Sequence, residues 1–519
     1  MIRWHLSLLG LALAVFGVVG LSGPGRIDIE DGQARYEAGR CFVEYGDPGI
    51  RDPRVVWHRF PGREGVDFTY YRLTGEVVAT AFVALGHSLS DQEGTRHFIF
   101  ALNGAATAAV LAVVYAVWFR RQGSTPRMAI AFAAAGIFCT PCWFYAASTF
   151  DDLLCTLIVV VALVLADRAR SGNVPSLFGT AIAVGLSLNS KQPLAAILLP
   201  ALAMADDAKR SLSWRLGRAS VLVAGLGAGV VGYTAYEAWK FPPEQKAKHA
   251  AIRAEWGITV FEGNPLEALV DYTVGPSSGT LWYCPTILLG GAGLLAMWRA
   301  NQKRIVIAIV LSCTVVTLFF SVLTFYKGGV CWGPRYLTPL FGILWLFAPQ
   351  GVAILGPRIT KVLLVLGILV QILGLSLIPE RLYVQRELHS GFYVQHPWWY
   401  LHPALGHIVN RPAEIIDALT APVAAEFTPA PSPTFTLPVF DKPFYNGPKG
   451  IEGVRRYTLL NTFRPWWATY PHLTSPPVNV ARTVVFFVLL TVCGILLTCS
   501  WSRDMAPHNE EPSWPSAPK

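Results

Sequence analysis

Residues 27–46 read IDIEDGQARYEAGRCFVEYG, and the interpretation of the whole chain depends on them. They follow the first apolar run, and their apolar side chains recur at helical spacing opposite a charged face. A short helix of this kind, beside the point where a chain leaves a membrane, is expected to lie in the interface plane. Glu30 and Asp31 stand at its start. We predict that Asp31 is a catalytic base that faces an external cavity. The alternative is that Asp31 only caps the helix, because Asp is a favoured N-cap residue.

The composition around this stretch is that of a membrane protein. Of 519 residues, 53% are hydrophobic and only 14% are charged, whereas soluble domains carry about 25% charged residues. The net charge of +9 fits basic residues collected in cytoplasmic loops. No basic stripe with interleaved aromatic residues is present, so no nucleic-acid partner is expected. Most of the nine cysteines lie in apolar segments, and they predict no disulfide framework.

Hydrophobic runs predict an all-α polytopic membrane protein with about 12 transmembrane helices. Arg3 places the start of the first run in the cytoplasm; a cleaved signal peptide is the alternative for this run. With both termini cytoplasmic, every cytoplasmic loop carries Lys or Arg and every long loop lies outside. The predicted spans are residues 4–21, 98–119, 128–145, 153–166, 177–190, 193–204, 221–239, 287–298, 305–325, a span that includes 340–347, 362–378 and 483–500.

These spans divide the chain into four regions. Residues 1–378 form the transmembrane core, with a first external loop at about 22–94 that contains a second amphipathic, interfacial patch at 67–85. Residues 379–482 are an external segment rich in Pro and aromatic residues. Its Trp residues would stack on sugars or form an interfacial belt. Residues 483–500 are the last span, and 501–519 are expected to be a disordered cytoplasmic tail.

Acidic groups form two of the five clusters that this topology places on the external face. The first is Glu30 with Asp31. The second is the turn into the fourth span, where Asp151 and Asp152 lie at membrane depth, and ionisable groups there are functional by default. The alternative for the second cluster is a capping box between Thr149 and Asp152.

The other three clusters bring cations and aromatic residues. Lys191 lies in a turn between apolar runs, where the alternative is snorkelling to the interface. Residues 274–285, VGPSSGTLWYCP, form a turn that runs into aromatic residues, or an ordinary loop with an interfacial anchor. Arg335 lies in a Gly-Pro setting within residues 329–339, and an Arg there is a good phosphate ligand, with snorkelling again the alternative.

Carboxylates and cations on one external face suggest a charged, phosphorylated substrate beside a general base. From residue chemistry alone, a lipid-phosphate phosphatase or an ion-coupled transporter would also fit. A multi-span transporter or lipid flippase should show internal repeats, and none is clear here. A non-catalytic assembly protein fits if the acids are only caps.

The order of motifs resembles the polyprenyl-phosphate-sugar-dependent glycosyltransferases of the GT-C type, the group that includes protein mannosyltransferases and the aminoarabinose transferase of lipid A. The resemblance covers most of residues 1 to about 350. The Asp-Asp pair departs from the single acid of many relatives, and residues 275–285 lack a basic residue often found there. The motifs that carry the resemblance are EDGQARYEAGRCFVEYGDP (30–48), YYRLTGEVVATAFVALG (70–86), FYAASTFDDLL (144–154), NSKQPLAAILLP (189–200), GPSSGTLWYCP (275–285) and WGPRYLTP (332–339).

This resemblance implies an integral membrane glycosyltransferase of the cell membrane whose active site faces outside. The donor would be a sugar on a polyprenyl phosphate, the acceptor a lipid, glycan or protein, and the transfer inverting. No cofactor and no metal is expected. In this reaction Asp31 would be the base, and Asp151 or Asp152 would position the acceptor or a cation. The donor phosphate would be bound by Arg335, Lys191 and Arg72. Further residues expected in the cavity are Glu30, Arg35, Tyr36, Tyr283, Trp332 and Tyr336.

Overall fold

The computed structural model confirms an all-α membrane protein. It describes residues 2–25, 27, 29–52, 55, 59–245, 248, 249, 251, 252, 261–324, 326–328, 331–377, 407–420, 484, 485 and 487–494. Five helical segments in this part of the chain are long and apolar enough to cross a membrane: Arg3–Ser22, Glu93–Arg121, Leu212–Lys240, Lys303–Ser321 and Ala348–Ser376. The count of twelve spans stays a prediction, and residues 379–406 and 501–519 lie outside the described part.

The helices follow one another with few strands between them. A two-residue antiparallel ladder, β1 (Phe60–Pro61) with β2 (Asp67–Phe68), lies in the first loop. The helices are α1 (Ile2–Ser22), α2 (Glu30–Tyr45), α3 (Leu73–Leu89), α4 (Glu93–Ala101), α5 (Asn103–Arg121), α6 (Pro126–Phe138), α7 (Cys142–Ala146), α8 (Asp152–Arg170), α9 (Val174–Ser190), α10 (Leu198–Ala205), α11 (Leu212–Lys240), α12 (Pro265–Val274), α13 (Thr280–Tyr283), α14 (Ile287–Arg299), α15 (Lys303–Ser321), α16 (Thr338–Trp345), α17 (Ala348–Ser376) and α18 (His407–Thr420).

Several predicted boundaries were wrong for identifiable reasons. The third span, predicted as one run, is divided into α6 and α7, because Pro141 cannot continue a helix. The patch predicted at residues 67–85 becomes helical only at Leu73, since residues 67 and 68 pair in the ladder. The span predicted at 362–378 lies in the second part of α17 and begins later than that part does, because the backbone leaves the helical region at Gly356 (φ 78°, ψ 163°), where two helices meet.

The core of the bundle is α5, α8 and α9, with α1 packed on α5 and α11 packed on α9. Helices α9 and α11 approach through small residues, as membrane helices commonly do. A Cβ on Gly229 would lie only 2.6 Å from the backbone oxygen of Gly185. The Asn189 amide then donates to the Gly229 carbonyl at 2.8 Å. This contact fixes α11, whose last residue reaches the first external loop.

Helix α2 lies against the turn that leads into α8. A Cβ on Gly32 would lie 2.1 Å from Thr149 Oγ1, so the absence of a side chain at residue 32 permits the contact. The helix begins at Glu30, and its N-cap residue is Ile29, which makes no side-chain capping hydrogen bond. Asp31 is therefore the second residue of the helix and not its N-cap.

Candidate functional site

Arg335 is the centre of a cluster of charged side chains. It begins the turn of 3-10 helix Arg335–Leu337 that leads into α16. Its Nη2 lies 2.5 Å from Asp31 Oδ2, and its Nε donates to Asp152 Oδ2 at 2.8 Å. Its Nη1 donates to the Gly328 carbonyl at 3.0 Å, and the guanidinium lies 3.9 Å over the Phe150 ring. One side chain thus joins the first loop, the head of α8 and the turn before α16.

Lys191 completes the cluster from the end of α9. Its Nζ donates to Asp152 Oδ1 and lies 3.8 Å from Asp151 Oδ1. It also lies 5.3 Å from the centre of the Tyr336 ring. We call Asp31, Asp151, Asp152, Lys191 and Arg335 the ion cluster. Four of the five sequence clusters, all except residues 274–285, contribute these residues.

The local structure argues against the capping alternative for Asp152 and the snorkelling alternative for Lys191 and Arg335. The N-cap residue of α8 is Asp151, so Asp152 is the first residue of the helix and not at the N3 position that a capping box with Thr149 requires. The Asp152 side chain has no exposed surface and lies between the two cations. Lys191 and Arg335 keep only 14% and 10% of their side-chain surface exposed, so neither extends to solvent in the way that snorkelling requires.

The two cations keep their charge although they are buried. Burial alone would lower the pKa of Arg335, but the carboxylates of Asp31 and Asp152 outweigh it and raise that pKa well above its usual value. Burial likewise opposes the charge of Lys191, and Asp152 followed by Asp151 raises its pKa. Both groups are therefore fixed positive charges at any physiological pH.

Arg35 and Tyr71 surround the Asp31 side of the cluster. Arg35 Nε donates to the Asp31 carbonyl at 3.1 Å, and its guanidinium also donates to the Thr149 carbonyl. It lies 5.5 Å from the centre of the Tyr71 ring. Burial first, and then the negative charge of Asp31, raise the pKa of Tyr71 well above its ordinary value. Tyr71 is thus a neutral group beside the candidate base.

A cavity adjoins the cluster at Asp151. Its free volume is only about 10 Å³, room for about one water molecule. Polar groups of Arg35, Asp151 and Asn103 lie on its wall, and the rest is lined by small and apolar side chains such as Val78 and Leu154. The arrangement offers a small, partly apolar space beside a carboxylate.

Two predicted site residues lie away from the ion cluster. Arg72 donates to the Tyr233 hydroxyl at 2.6 Å and lies 3.4 Å from Glu237 on α11. Tyr36 packs edge-on against His97, with ring centroids 4.4 Å apart. Both have local partners that do not belong to the cluster, and the side chain of Glu30 lies outside the described residues.

The predicted aromatic residues near Arg335 differ in their surroundings. Tyr336 stacks on Phe320 with ring centroids 4.6 Å apart, and it borders the cluster through Lys191. Trp332 and Tyr283 are both fully buried, with ring centroids 5.0 Å apart. They pack beneath the turn that carries Arg335 and do not line the described cavity.

Comparison with known proteins gives structural matches only. No protein-family model and no curated protein matches the chain. Two crystal structures of ArnT from Cupriavidus metallidurans are similar to it. The structure bound to undecaprenyl phosphate has a TM-score of 0.44 at 17% identity, and the apo structure has 0.46 at 14%. Each match covers 96% of this chain and 78% of the other. ArnT is a GT-C aminoarabinose transferase, from the group that the sequence motifs resemble. At these values the likeness carries no functional argument.

Sequence reasoning assigned no role to two residues that lie close to the cluster, Tyr71 and Phe150. Tyr71 was overlooked in favour of its neighbour Arg72, although both belong to the YYR motif. Phe150 stands directly before the acidic pair, and its ring lies under Arg335. Each of these residues stands next to a charged residue in the sequence, which was the available signal. Only the fold shows which of the flanking residues lie close to the ion cluster.

Proposed function

We propose that this protein is an integral membrane glycosyltransferase that moves a sugar from a polyprenyl-phosphate donor to an acceptor on the external face. The observation that carries the proposal is the contact between Asp31 Oδ2 and Arg335 Nη2 at 2.5 Å. It places a candidate base directly beside a candidate phosphate ligand. The sequence motifs that resemble GT-C enzymes contain both residues.

The reaction is a single displacement at the anomeric carbon. The acceptor hydroxyl or amine forms a bond to that carbon while Asp31 takes the acceptor proton. The bond between the carbon and the phosphate oxygen breaks, and its electron pair leaves with the polyprenyl phosphate. Attack and departure on opposite faces invert the configuration.

The two buried cations suit the leaving group. The donor is a phosphodiester, and departure adds a negative charge to the phosphate. Fixed positive charges placed where charge develops are the most effective electrostatic stabilisers of a transition state. Arg335 also holds Asp31, so phosphate oxygens that bind Arg335 would replace that carboxylate and release it toward the acceptor.

The two acids at the head of α8 take different roles. Asp152 is fully buried between Arg335 and Lys191, so it orients both cations. Asp151 borders the cavity and lies 3.8 Å from Lys191. In the proposed reaction it contacts the acceptor, which would widen the cavity as it enters.

The experiment that tests the proposal is transfer of radiolabelled sugar from polyprenyl-phosphate donors in membranes, comparing the wild type with Asp31→Asn. Asn keeps the size of Asp but cannot accept a proton as a carboxylate does. We expect the wild type to transfer sugar and the folded variant to lose at least a hundredfold in rate, within the range of general-base effects. Equal rates would show that Asp31 is not the base. A wild type inactive with every donor and with native lipid acceptors would favour a transporter or flippase.

A further inference from the structure

A buried lysine outside the ion cluster has contacts that lead toward it. Lys240, the last residue of α11, has no exposed surface. Its Nζ donates to the carbonyls of Thr69 and Tyr71 at 2.9 and 2.7 Å. The carboxylates of Glu76 and Glu237 lie 3.6 and 3.5 Å away. A buried ammonium is costly unless it is paired and hydrogen-bonded, and here both conditions are met.

The contacts of Lys240 fall on a segment that lacks regular structure. Residues 69–72 connect β2 to α3 and belong to neither a helix nor a strand. Buried carbonyls in such a segment need donors from elsewhere, and Lys240 supplies two of them. Glu76 accepts from Thr69 Oγ1 at 2.7 Å and from the Tyr236 hydroxyl. Arg72 is fixed by Tyr233 at 2.6 Å, so α11 holds the segment at both ends.

The same segment carries an aromatic pair that Arg35 links to the candidate base. The rings of Tyr70 and Tyr71 lie 4.9 Å apart. Tyr71 is buried beside Asp31 and under Arg35, whereas 38% of Tyr70 is exposed. The Tyr71 carbonyl that Lys240 binds belongs to the residue whose ring lies under Arg35, and Arg35 in turn donates to the Asp31 carbonyl. A shift of this backbone therefore moves the ring under Arg35, and with it the guanidinium that holds the Asp31 backbone.

We propose that Lys240 is a positioning residue for the proposed transfer, because it fixes the Tyr70–Tyr71 pair against Asp31 through the carbonyls of Thr69 and Tyr71. The inference deepens the proposed function and rests on it. It assigns α11 a role at a site to which that helix contributes no member of the ion cluster.

A purely structural lysine would behave differently from a positioning one. Loss of a structural lysine lowers the amount of folded protein and leaves the rate per folded molecule unchanged. Loss of a positioning lysine lowers kcat of the folded molecules. It leaves KM for the donor nearly unchanged, because Arg335 and Lys191 do not contact Lys240 in the described structure. Misplacement by about 1 Å can cost roughly a hundredfold in rate.

The test compares four variants with the wild type: Lys240→Met, Lys240→Arg, Lys240→Met combined with Glu76→Gln, and Lys209→Met. The double variant removes the carboxylate that Lys240→Met would leave unpaired, so it covers the case in which the single variant does not fold. Lys209 is exposed in the turn before α11 and serves as the matched control. Sugar transfer is measured per folded protein. Hydrogen exchange is measured in peptides that cover residues 27–35 and 69–72.

We expect the variants that contain Lys240→Met to lose about tenfold to a hundredfold in kcat, with faster exchange in both peptides, and Lys240→Arg to recover part of each. Lys209→Met should match the wild type. Unchanged exchange in residues 27–35, or an unchanged kcat per folded molecule, would overturn the inference. If the wild type transfers no sugar, the proposed function fails, and exchange in residues 27–35 still decides whether Lys240 holds the surroundings of Asp31.

Discussion

Among single residues, Asp152 is the one that contacts both cations of the ion cluster. It is fully buried and accepts from both Arg335 and Lys191. Removal of one partner from a buried ion pair leaves an uncompensated charge, which is strongly destabilising. Neutralising Asp152 leaves Arg335 with Asp31 and Lys191 with Asp151, 3.8 Å away, so each buried cation loses one of its two carboxylate partners.

We therefore expect Asp152→Asn to lower the free energy of unfolding by about 3–5 kcal/mol. The matched control is Asp167→Asn, also on α8, whose carboxylate pairs with Arg121 near solvent. That pair should contribute only about 0–1 kcal/mol. Thermal unfolding of both variants in detergent measures the difference. Equal melting temperatures would show that the cluster does not stabilise the fold.

Among the elements, α2 depends on its closeness to the turn before α8. Gly32 allows this approach because any Cβ there would overlap Thr149. Gly32→Ala should push α2 outward, separate Asp31 from Arg335 and reduce transfer by about tenfold or more, since small misplacements are costly.

Two further variants check this reasoning. Thr149→Gly removes the overlapping atoms, so the pair Gly32→Ala with Thr149→Gly should recover part of the activity. Gly94→Ala, on α4 with open space around it, is the control. Full activity in Gly32→Ala alone would mean that α2 is free to move without consequence for Asp31.

The elements also show how far a sequence predicts this fold. Helices α1, α9, α14 and α15 were predicted within a few residues, because each is an apolar run with clear ends. Helix α11 begins at Leu212, nine residues before the predicted span, since Ser211 caps it and its first turns carry basic residues. Hydropathy predicts the apolar part of a helix but not the polar turns that extend the helix beyond it.

The sequence predicts which charged residues belong to the candidate site, but not which of them form ion pairs with one another. Acids and cations on the external face were identified one by one, since such residues are rare at membrane depth. Nothing in the local sequence shows that Arg335 bonds both Asp31 and Asp152, because that contact joins distant parts of the chain. Lys240 follows the predicted span 221–239 without any motif around it, and only its burial distinguishes it from other lysines.

For the whole molecule, orientation remains a prediction from the distribution of Lys and Arg. It places Glu64, exposed in the first loop, outside the cell and Gln122, exposed after α5, inside it. A membrane-impermeant maleimide should label Glu64→Cys in intact cells and Gln122→Cys only after permeabilisation. The unmodified chain gives the background, and its described cysteines are buried or half-buried. The reverse pattern would place the ion cluster on the cytoplasmic side and exclude an external active site.

The charge balance of the ion cluster affects how a substrate would arrive. Three carboxylates face the cations of Lys191 and Arg335, and Arg35, which binds the Asp31 backbone, brings the local sum to zero. A neutral site exerts little attraction beyond the Debye length of about 8 Å at physiological ionic strength. An anionic lipid would therefore reach it by lateral diffusion in the bilayer rather than by long-range steering, and its capture rate would change little with added salt.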